Sequence, residues 1–237
     1  MLTNTKHGLV VLLAIVFCIN MAQTRIATSS HSQSPVSVAE QKAAYAIRSF
    51  ERQAVSFEFH DKTAHWAMYG YSVSYFMLFP ILALTVLVAL ARRKELAPLR
   101  VLCVAVAVDY LVSLACFVFF PVPERWAYPE SSAILLSDQW TSNLIEAVRP
   151  VSALNNCFPS THVSFTVILL IVCWRFGIRF RATITALLMT VPFATFILGI
   201  HWLADIIAGT FVGCMSVAIA LRWTDTSERR ELRIESA

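Results

Sequence analysis

The feature that most constrains this chain is a series of apolar runs long enough to cross a lipid bilayer. A helix needs about 20 apolar residues to span a hydrocarbon core of about 30 Å. Five runs approach or exceed this length, at residues 67–91, 99–120, 162–178, 182–200 and 202–222. Only 14% of the 237 residues are charged, whereas soluble domains carry about 25%. We therefore expect an integral membrane protein, and a soluble enzyme or a nucleic-acid-binding protein is excluded.

A sixth apolar run, from Gly8 to Ala22, is shorter and follows Lys6. It fits either an uncleaved signal anchor or the core of a signal peptide. An anchor is favoured because no small-residue cleavage motif follows the run. Both interpretations leave Gln23 on the same side of the membrane, so the topology of the later runs does not depend on the choice.

Basic residues lie in four short clusters beside these runs. The clusters are Lys6; Arg92, Arg93, Lys94 and Arg100; Arg175, Arg179 and Arg181; and Arg222, Arg229, Arg230 and Arg233. If six helices cross the membrane, all four clusters fall on one side, which the positive-inside rule identifies as the cytoplasm. The sequence therefore predicts an all-α polytopic protein with about six transmembrane helices, expected in a bacterial inner membrane.

This topology divides the chain into four parts. Residues 1–22 form the anchor or signal peptide, 23–66 an extracytoplasmic segment, 67–222 the membrane-embedded domain and 223–237 a cytoplasmic tail. In the second part, apolar positions among charged ones predict an amphipathic helix from Val38 to about Phe59. We expect this helix to lie on the membrane surface.

Two polar motifs begin runs at the outer face, where polar residues of a membrane protein are usually functional. The one later in the chain is Ile200-His-Trp-Leu-Ala-Asp205, followed by Gly209. His201 and Asp205 are four residues apart and would share one face of a helix. The carboxylate can then accept a hydrogen bond from imidazole Nδ1 and leave Nε2 free to act as a nucleophile or base.

The polar motif earlier in the chain, Phe158-Pro-Ser-Thr-His162, begins the fourth run. Ser160 and Thr161 offer hydroxyls and the backbone N–H groups of a helix N-terminus, which suit a phosphate anion. His162 follows directly and can donate a proton to a leaving oxygen. Both motifs are expected at the same membrane face, so a nucleophile, an acid and an anion site would meet there.

These motifs resemble the second and third signature motifs of the type 2 phosphatidic acid phosphatase superfamily. The resemblance is greatest to the branch that contains inositol phosphorylceramide synthase, which has an element similar to Phe120-Pro-Val-Pro-Glu-Arg125 after an earlier span. It covers about residues 45–222 and implies a helical bundle of that family's type. It also implies that His201 attacks phosphorus, that Asp205 orients His201, and that His162 protonates the leaving group.

The chain departs from the main-branch phosphatases at several positions. Ala194 and Thr195 stand where that branch has Ser-Arg, and Thr161 stands where its second motif has glycine. The family's first signature motif, Lys-x6-Arg-Pro, is matched only by Arg149-Pro150. Ser142 stands in the position of its lysine. Some phosphate-binding cations of the main branch are therefore missing.

Arg125 and Arg149 are the candidates to replace these cations, together with Ser160 and Thr161 as phosphate ligands. Arginine binds phosphate through two parallel hydrogen bonds. Arg125 is favoured because it follows the third span, as the family's first signature motif does in its members.

The sequence thus predicts a lipid-phosphate phosphatase that acts through a phosphohistidine at the extracytoplasmic face. A phosphotransferase that moves a phospho-head group between lipids is the alternative within the family. A non-catalytic protein, or a haem protein with His162 and His201 as axial ligands, is the alternative from another class. The expected partner is a lipid phosphate or lipid diphosphate. We expect no cofactor and no metal, because no carboxylate cluster of the kind that holds Mg²⁺ lies near the motifs.

Two further features have structural interpretations. Asp109, halfway along the third run, is expected to join helices through a hydrogen bond and to lie too deep to reach phosphate. Five of the six cysteines lie inside apolar runs, and only Cys157 lies near a predicted surface. This placement argues against a disulfide framework and against structural zinc.

Overall fold

The computed structural model describes residues 5–31, 38–54, 65–128 and 156–235, and within them the chain is almost entirely helical. The helices are α1 (Lys6–His31), α2 (Val38–Ala54), α3 (His65–Val73), α4 (Phe79–Ala91), α5 (Ala97–Phe119), α6 (Thr161–Arg175), α7 (Arg181–Leu188), α8 (Thr190–Ile197) and α9 (Leu203–Glu235). Among these residues, the only β pairing is one isolated bridge between Val122 and Asn156.

Within the part of the chain that the structure describes, four helical stretches are long and apolar enough to cross a membrane. They are Lys6–Arg25, Ala67–Ala91, Ala97–Phe119 and Leu203–Thr226. The fourth and fifth predicted spans are the shorter apolar stretches Thr161–Arg175 and Arg181–Ile197. The predicted all-α membrane bundle is therefore confirmed.

Prolines make two of these stretches irregular. Pro80 has no N–H and its ring opposes the carbonyl four residues earlier. The chain before it loosens into a π-helical turn at Ser74–Leu78, where the Phe79 N–H reaches the Ser74 carbonyl. Pro192 acts similarly between α7 and α8, which meet at Met189. The π-turn buries Tyr75 inside the bundle.

Helix α9 packs mainly against α5 and α6, and two glycines set its distance from α6. A Cβ at Gly209 would lie 2.5 Å from the Ser160 carbonyl oxygen, and one at Gly213 would lie 2.6 Å from that of Ser164. Real Cβ atoms do not approach backbone oxygens this closely. Small residues spaced by four allow two membrane helices to touch through their backbones, so only glycine fits at either position.

Three of the basic clusters meet at one end of the bundle. Lys6 Nζ donates to the carbonyls of Ala91 at 2.8 Å and Arg93 at 3.0 Å. Arg93 in turn donates to the Gly177 carbonyl at 3.3 Å. The two polar motifs lie towards the other end, where α6 starts at Thr161 and α9 starts at Leu203. The predicted separation of basic clusters from polar motifs is present in the structure.

Helix α2 ends at Ala54, and residues 55–64 lie outside the described ranges. The expectation that its apolar face rests on the membrane needs correction. Ala43, Ala44 and Ile47 are buried against protein, in a cluster that includes Trp202. Phe50 is instead half exposed. The helix covers the end of the bundle that carries the polar motifs.

The glycine contact predicts a stability difference. Gly213→Ala should lower the free energy of unfolding in detergent micelles by about 1–3 kcal/mol, because the new Cβ must push α6 away. Gly70→Ala is the matched control, since nothing lies within 4 Å of a Cβ there. The two variants should therefore differ in thermal or denaturant unfolding. Equal stabilities would show that α6 and α9 are not in backbone contact.

Candidate functional site

A tight turn places His201 just ahead of α9. Gly199 has a φ of +76°, a left-handed conformation that favours glycine. The turn brings the His201 N–H to the Thr195 carbonyl at 3.1 Å. The sequence predicted that His201 and Asp205 share one face of a helix. This is wrong, because α9 begins only at Leu203 and His201 precedes it. The two residues meet through the geometry of the helix start.

Asp205 holds this helix start together through one oxygen. Its Oδ2 accepts from the Trp202 N–H at 2.8 Å, as the third residue of a helix does in a capping box. The same oxygen lies 3.3 Å from His201 Nδ1. Both side chains are buried. With Nδ1 facing the carboxylate, His201 Nε2 is the ring nitrogen left for chemistry.

Cys157 completes this group, although sequence reasoning gave it no role. Its Sγ donates to Asp205 Oδ2 at 2.9 Å and lies 3.1 Å from His201 Nδ1. Burial raises the pKa of the Cys157 thiol well above its usual range, and the charge of Asp205 raises it further. The residue is therefore a neutral thiol. Its position directly before the Phe158–His162 motif was the signal that could have identified it.

Cys157, His201 and Asp205 are also the candidate metal ligands of the described residues, with donor atoms within 4.8 Å of one another. Sulfur, imidazole nitrogen and carboxylate oxygen are donors that zinc accepts. Zinc would require the thiolate, so binding it would displace the Cys157 proton and break the hydrogen bond from Sγ to Asp205 Oδ2. The observed contacts are those of a hydrogen-bonded network.

His162 lies across from His201 because the starts of α6 and α9 are tied together. The Ser160 N–H donates to the Asp205 carbonyl at 3.1 Å, and Ser160 Oγ accepts from the Val163 N–H as the N-cap of α6. The rings of His162 and His201 are 6.4 Å apart between centroids. The two predicted histidines are therefore neighbours at one site.

The π-turn supplies the surroundings of His162. The Tyr75 hydroxyl lies 3.3 Å from His162 Nδ1, and the two rings pack with centroids 4.4 Å apart. The Phe79 ring packs on His162 at 5.2 Å. Sequence reasoning missed Tyr75. The signal for it was Pro80 within an apolar run, because π-turns occur often at functional sites.

The predicted phosphate ligands are placed differently from one another. Thr161 lines the cavity beside the histidines, whereas the Ser160 hydroxyl caps α6. The Arg125 N–H donates to the Ile200 carbonyl at 3.1 Å, so its backbone adjoins the His201 turn. Its guanidinium stacks over Phe196 at 4.7 Å. Arg149 lies outside the described residues.

Glu51 of α2 is a further charged group at this end, and sequence reasoning did not include it. Its carboxylate accepts a hydrogen bond from the Leu203 N–H at the start of α9. Burial raises the pKa of Glu51, while that hydrogen bond and the charge of Arg125 oppose the increase. Burial likewise lowers the pKa of Arg125, and Glu51 opposes this. The pair brings one positive and one negative charge to the site.

A largely apolar cavity of about 500 Å³ extends from the two histidines. His162, His201, Cys157 and Thr161 line its polar end. Side chains of α1, α4, α5 and α6 form the apolar walls; among them are Leu13, Val16, Phe17, Phe79, Val106, Phe117 and Phe165. The cavity therefore joins a reactive polar end to an apolar space inside the bundle.

Asp109 also lines this cavity, which corrects its expected position. Its side chain lies beside Ser164, in the first turn of α6 and two residues after His162. Helix α5 continues to Phe119, about 15 Å beyond Asp109 at 1.5 Å per residue. The first turn of α6 thus starts below the end of α5. Asp109 therefore lies at nearly the same height along the bundle as His162.

A comparison with known protein families gives a match over the larger part of the chain. A family model described as the PAP2 superfamily matches residues 98–229, which is more than half of the chain and includes both histidines and Asp205. No curated protein and no solved structure gives a significant match. The chain belongs to the PAP2 superfamily, whose members are phosphatases or related phosphotransferases.

Proposed function

We propose that this protein is an integral membrane lipid-phosphate phosphatase that works through a phosphohistidine at His201. The observation that supports it most is that a group of reactive side chains adjoins a largely apolar cavity. His162 and His201, the latter backed by Asp205, meet at one end of a cavity whose other lining residues are mostly apolar. This arrangement suits a substrate with a phosphate head and a hydrocarbon chain, such as a lipid phosphate or lipid diphosphate.

In the first step, His201 Nε2 attacks phosphorus and the P–O bond to the lipid breaks. Asp205 at Nδ1 orients the ring and stabilises the positive charge that the imidazole gains. His162 gives its proton to the departing oxygen. In the second step, water attacks the phosphohistidine while His162 takes up a proton, and inorganic phosphate leaves with His201 restored.

The phosphate oxygens need donors that are already in place. The Thr161 and His162 N–H groups at the start of α6 have no acceptor within their own helix, and together with the Thr161 hydroxyl they face the anion in our proposal. Ser160 acts as the cap that fixes this helix end. Arg125 supplies positive charge from the neighbouring turn, with Arg149 as the second candidate. Fixed donors of this kind stabilise charge that develops during phosphoryl transfer.

We place this site on the extracytoplasmic side, which is periplasmic in a bacterial inner membrane. The support is the position of the basic clusters at the other end of the bundle, combined with the positive-inside rule. Helix α1, as an anchor, provides one wall of the cavity and is largely exposed along its membrane stretch. A lipid would then enter sideways from the bilayer next to α1.

An alcohol in place of water would make the same site a phosphotransferase. The specific observation in its favour is the segment Phe120–Arg125, which resembles the synthase branch and lies beside the site, where Pro123 accepts from the Trp202 indole at 3.1 Å. Labelled lipid phosphate incubated with and without inositol separates the two reactions. Free phosphate as the sole labelled product excludes transfer to inositol.

Loss of either histidine should abolish turnover. His201→Ala and His162→Ala should each lower kcat for phosphate release by about 10³-fold or more, since they remove the nucleophile and the acid. The measurement is a phosphate-release screen over phosphatidate, isoprenoid diphosphates and lipid A phosphates in detergent micelles.

His7→Ala is the matched control, because His7 is exposed and lies next to Lys6 at the basic end. It should retain wild-type turnover. Wild-type kcat in His201→Ala or His162→Ala would remove that residue from the mechanism.

Cys157 should matter through its hydrogen bond to Asp205. Cys157→Ala should lower kcat by about 10- to 100-fold with little change in KM, because a hydrogen bond to a charged group is worth about 1.5–3 kcal/mol and its loss frees Asp205 to shift. Cys173→Ala is the control, since Cys173 is equally buried but belongs to the main hydrophobic core. If both variants keep wild-type kcat, the thiol has no part in orienting Asp205.

A further inference from the structure

Helix α5 turns two polar side chains towards the apolar cavity. Asp109 is 5% exposed and Tyr110 is 8% exposed, and both line the cavity. Among the described residues, neither Asp109 Oδ1 nor the Tyr110 hydroxyl has a hydrogen-bond partner. A buried polar atom left in this state costs about 1–3 kcal/mol.

A purely structural role does not account for these atoms. The predicted contact that joins helices is the one between the side chains of Asp109 and Ser164. It leaves Asp109 Oδ1 without a partner among the described residues. A plain hydrocarbon chain in the cavity would leave both groups unsatisfied. Polar residues within a membrane bundle that face a cavity usually mark a binding site. Asn20 of α1 adds a third polar group to the same lining.

We infer that Asp109 and Tyr110 form a subsite for a hydroxyl or amide group in the hydrophobic part of the lipid. A hydroxyl or an amide N–H donates to the Asp109 carboxyl group, and the oxygen of either group accepts from the Tyr110 hydroxyl. This inference rests on the proposed function, because it takes the cavity to hold the lipid of a phosphorylated substrate.

The position of the subsite limits where the lipid carries this group. Ser164, beside Asp109, follows His162 by two residues, which is about 3 Å along the axis of α6. The hydrogen-bonding group therefore lies within a few carbon atoms of the phosphate. Isoprenoid diphosphates and simple alkyl phosphates have no such group. A site built to bind a hydroxyl discriminates strongly against the analogue that lacks it.

The test compares two synthetic lipids that differ by one hydroxyl, hexadecyl phosphate and 3-hydroxyhexadecyl phosphate. Their equilibrium binding to the full-length His201→Ala variant in detergent micelles is measured by calorimetry, so that no turnover interferes. The hydroxylated lipid should bind about tenfold more tightly. Moving the hydroxyl to carbon 12 should remove the advantage.

Substitutions then locate the preference. Asp109→Leu and Tyr110→Phe, each in the His201→Ala background, should reduce the affinity ratio to about one. Ser113→Ala should keep the tenfold ratio. Ser113 is the matched control because it is a buried hydroxyl of α5 that also has no partner among the described residues, but it does not line the cavity. Tyr110→Phe removes a single oxygen, so it decides the test if Asp109→Leu does not fold.

Equal affinities for the two lipids would overturn the subsite, as would a preference that survives both substitutions. Failure of both lipids to bind would overturn it as well. A wild-type protein that prefers the hydroxylated lipid in binding but releases no phosphate would instead contradict the phosphatase and leave the subsite standing.

Discussion

The contact between the backbones of α6 and α9 is the constraint on which the site depends. Gly209 and Gly213 have no Cβ, so α9 comes close enough to α6 for the Ser160 N–H to reach the Asp205 carbonyl. That bond ties together the starts of two helices whose motifs are about 40 residues apart in the chain. The histidine pair follows from this contact, because each histidine stands next to one of the two tied helix starts.

Local deviations from regular helix then aim the side chains. The left-handed Gly199 allows the turn that carries His201, and Pro80 forces the π-turn that brings Tyr75 to His162. Asp205 acts both as the helix cap and as the partner of His201, so the stability of the helix start and the orientation of the imidazole depend on one carboxylate. Such preorganised contacts cost no rearrangement during a reaction.

The fold, and the proximity of the three principal candidate residues, could be predicted because their signals are local. Apolar runs and basic clusters define membrane helices directly, and His162, His201 and Asp205 lie in short motifs. Cys157 and Tyr75 had only indirect signals in the sequence, the adjacent Phe158–His162 motif and Pro80, and Glu51 had none. They reach the site through packing between distant segments, and sequence spacing carries no information on that packing. The depth assigned to Asp109 was wrong for a related reason, since counting along α5 does not reveal that α6 starts below its end.

The phosphohistidine is the central claim, and rapid quenching tests it most directly. The protein is mixed with a lipid phosphate labelled with ³²P on the phosphate, quenched in alkali, digested and mapped by mass spectrometry. The proposed mechanism predicts an acid-labile, alkali-stable label on His201 that forms within one turnover and is absent from His201→Ala. A label on another residue, or steady phosphate release with no labelled protein at any time, would contradict it.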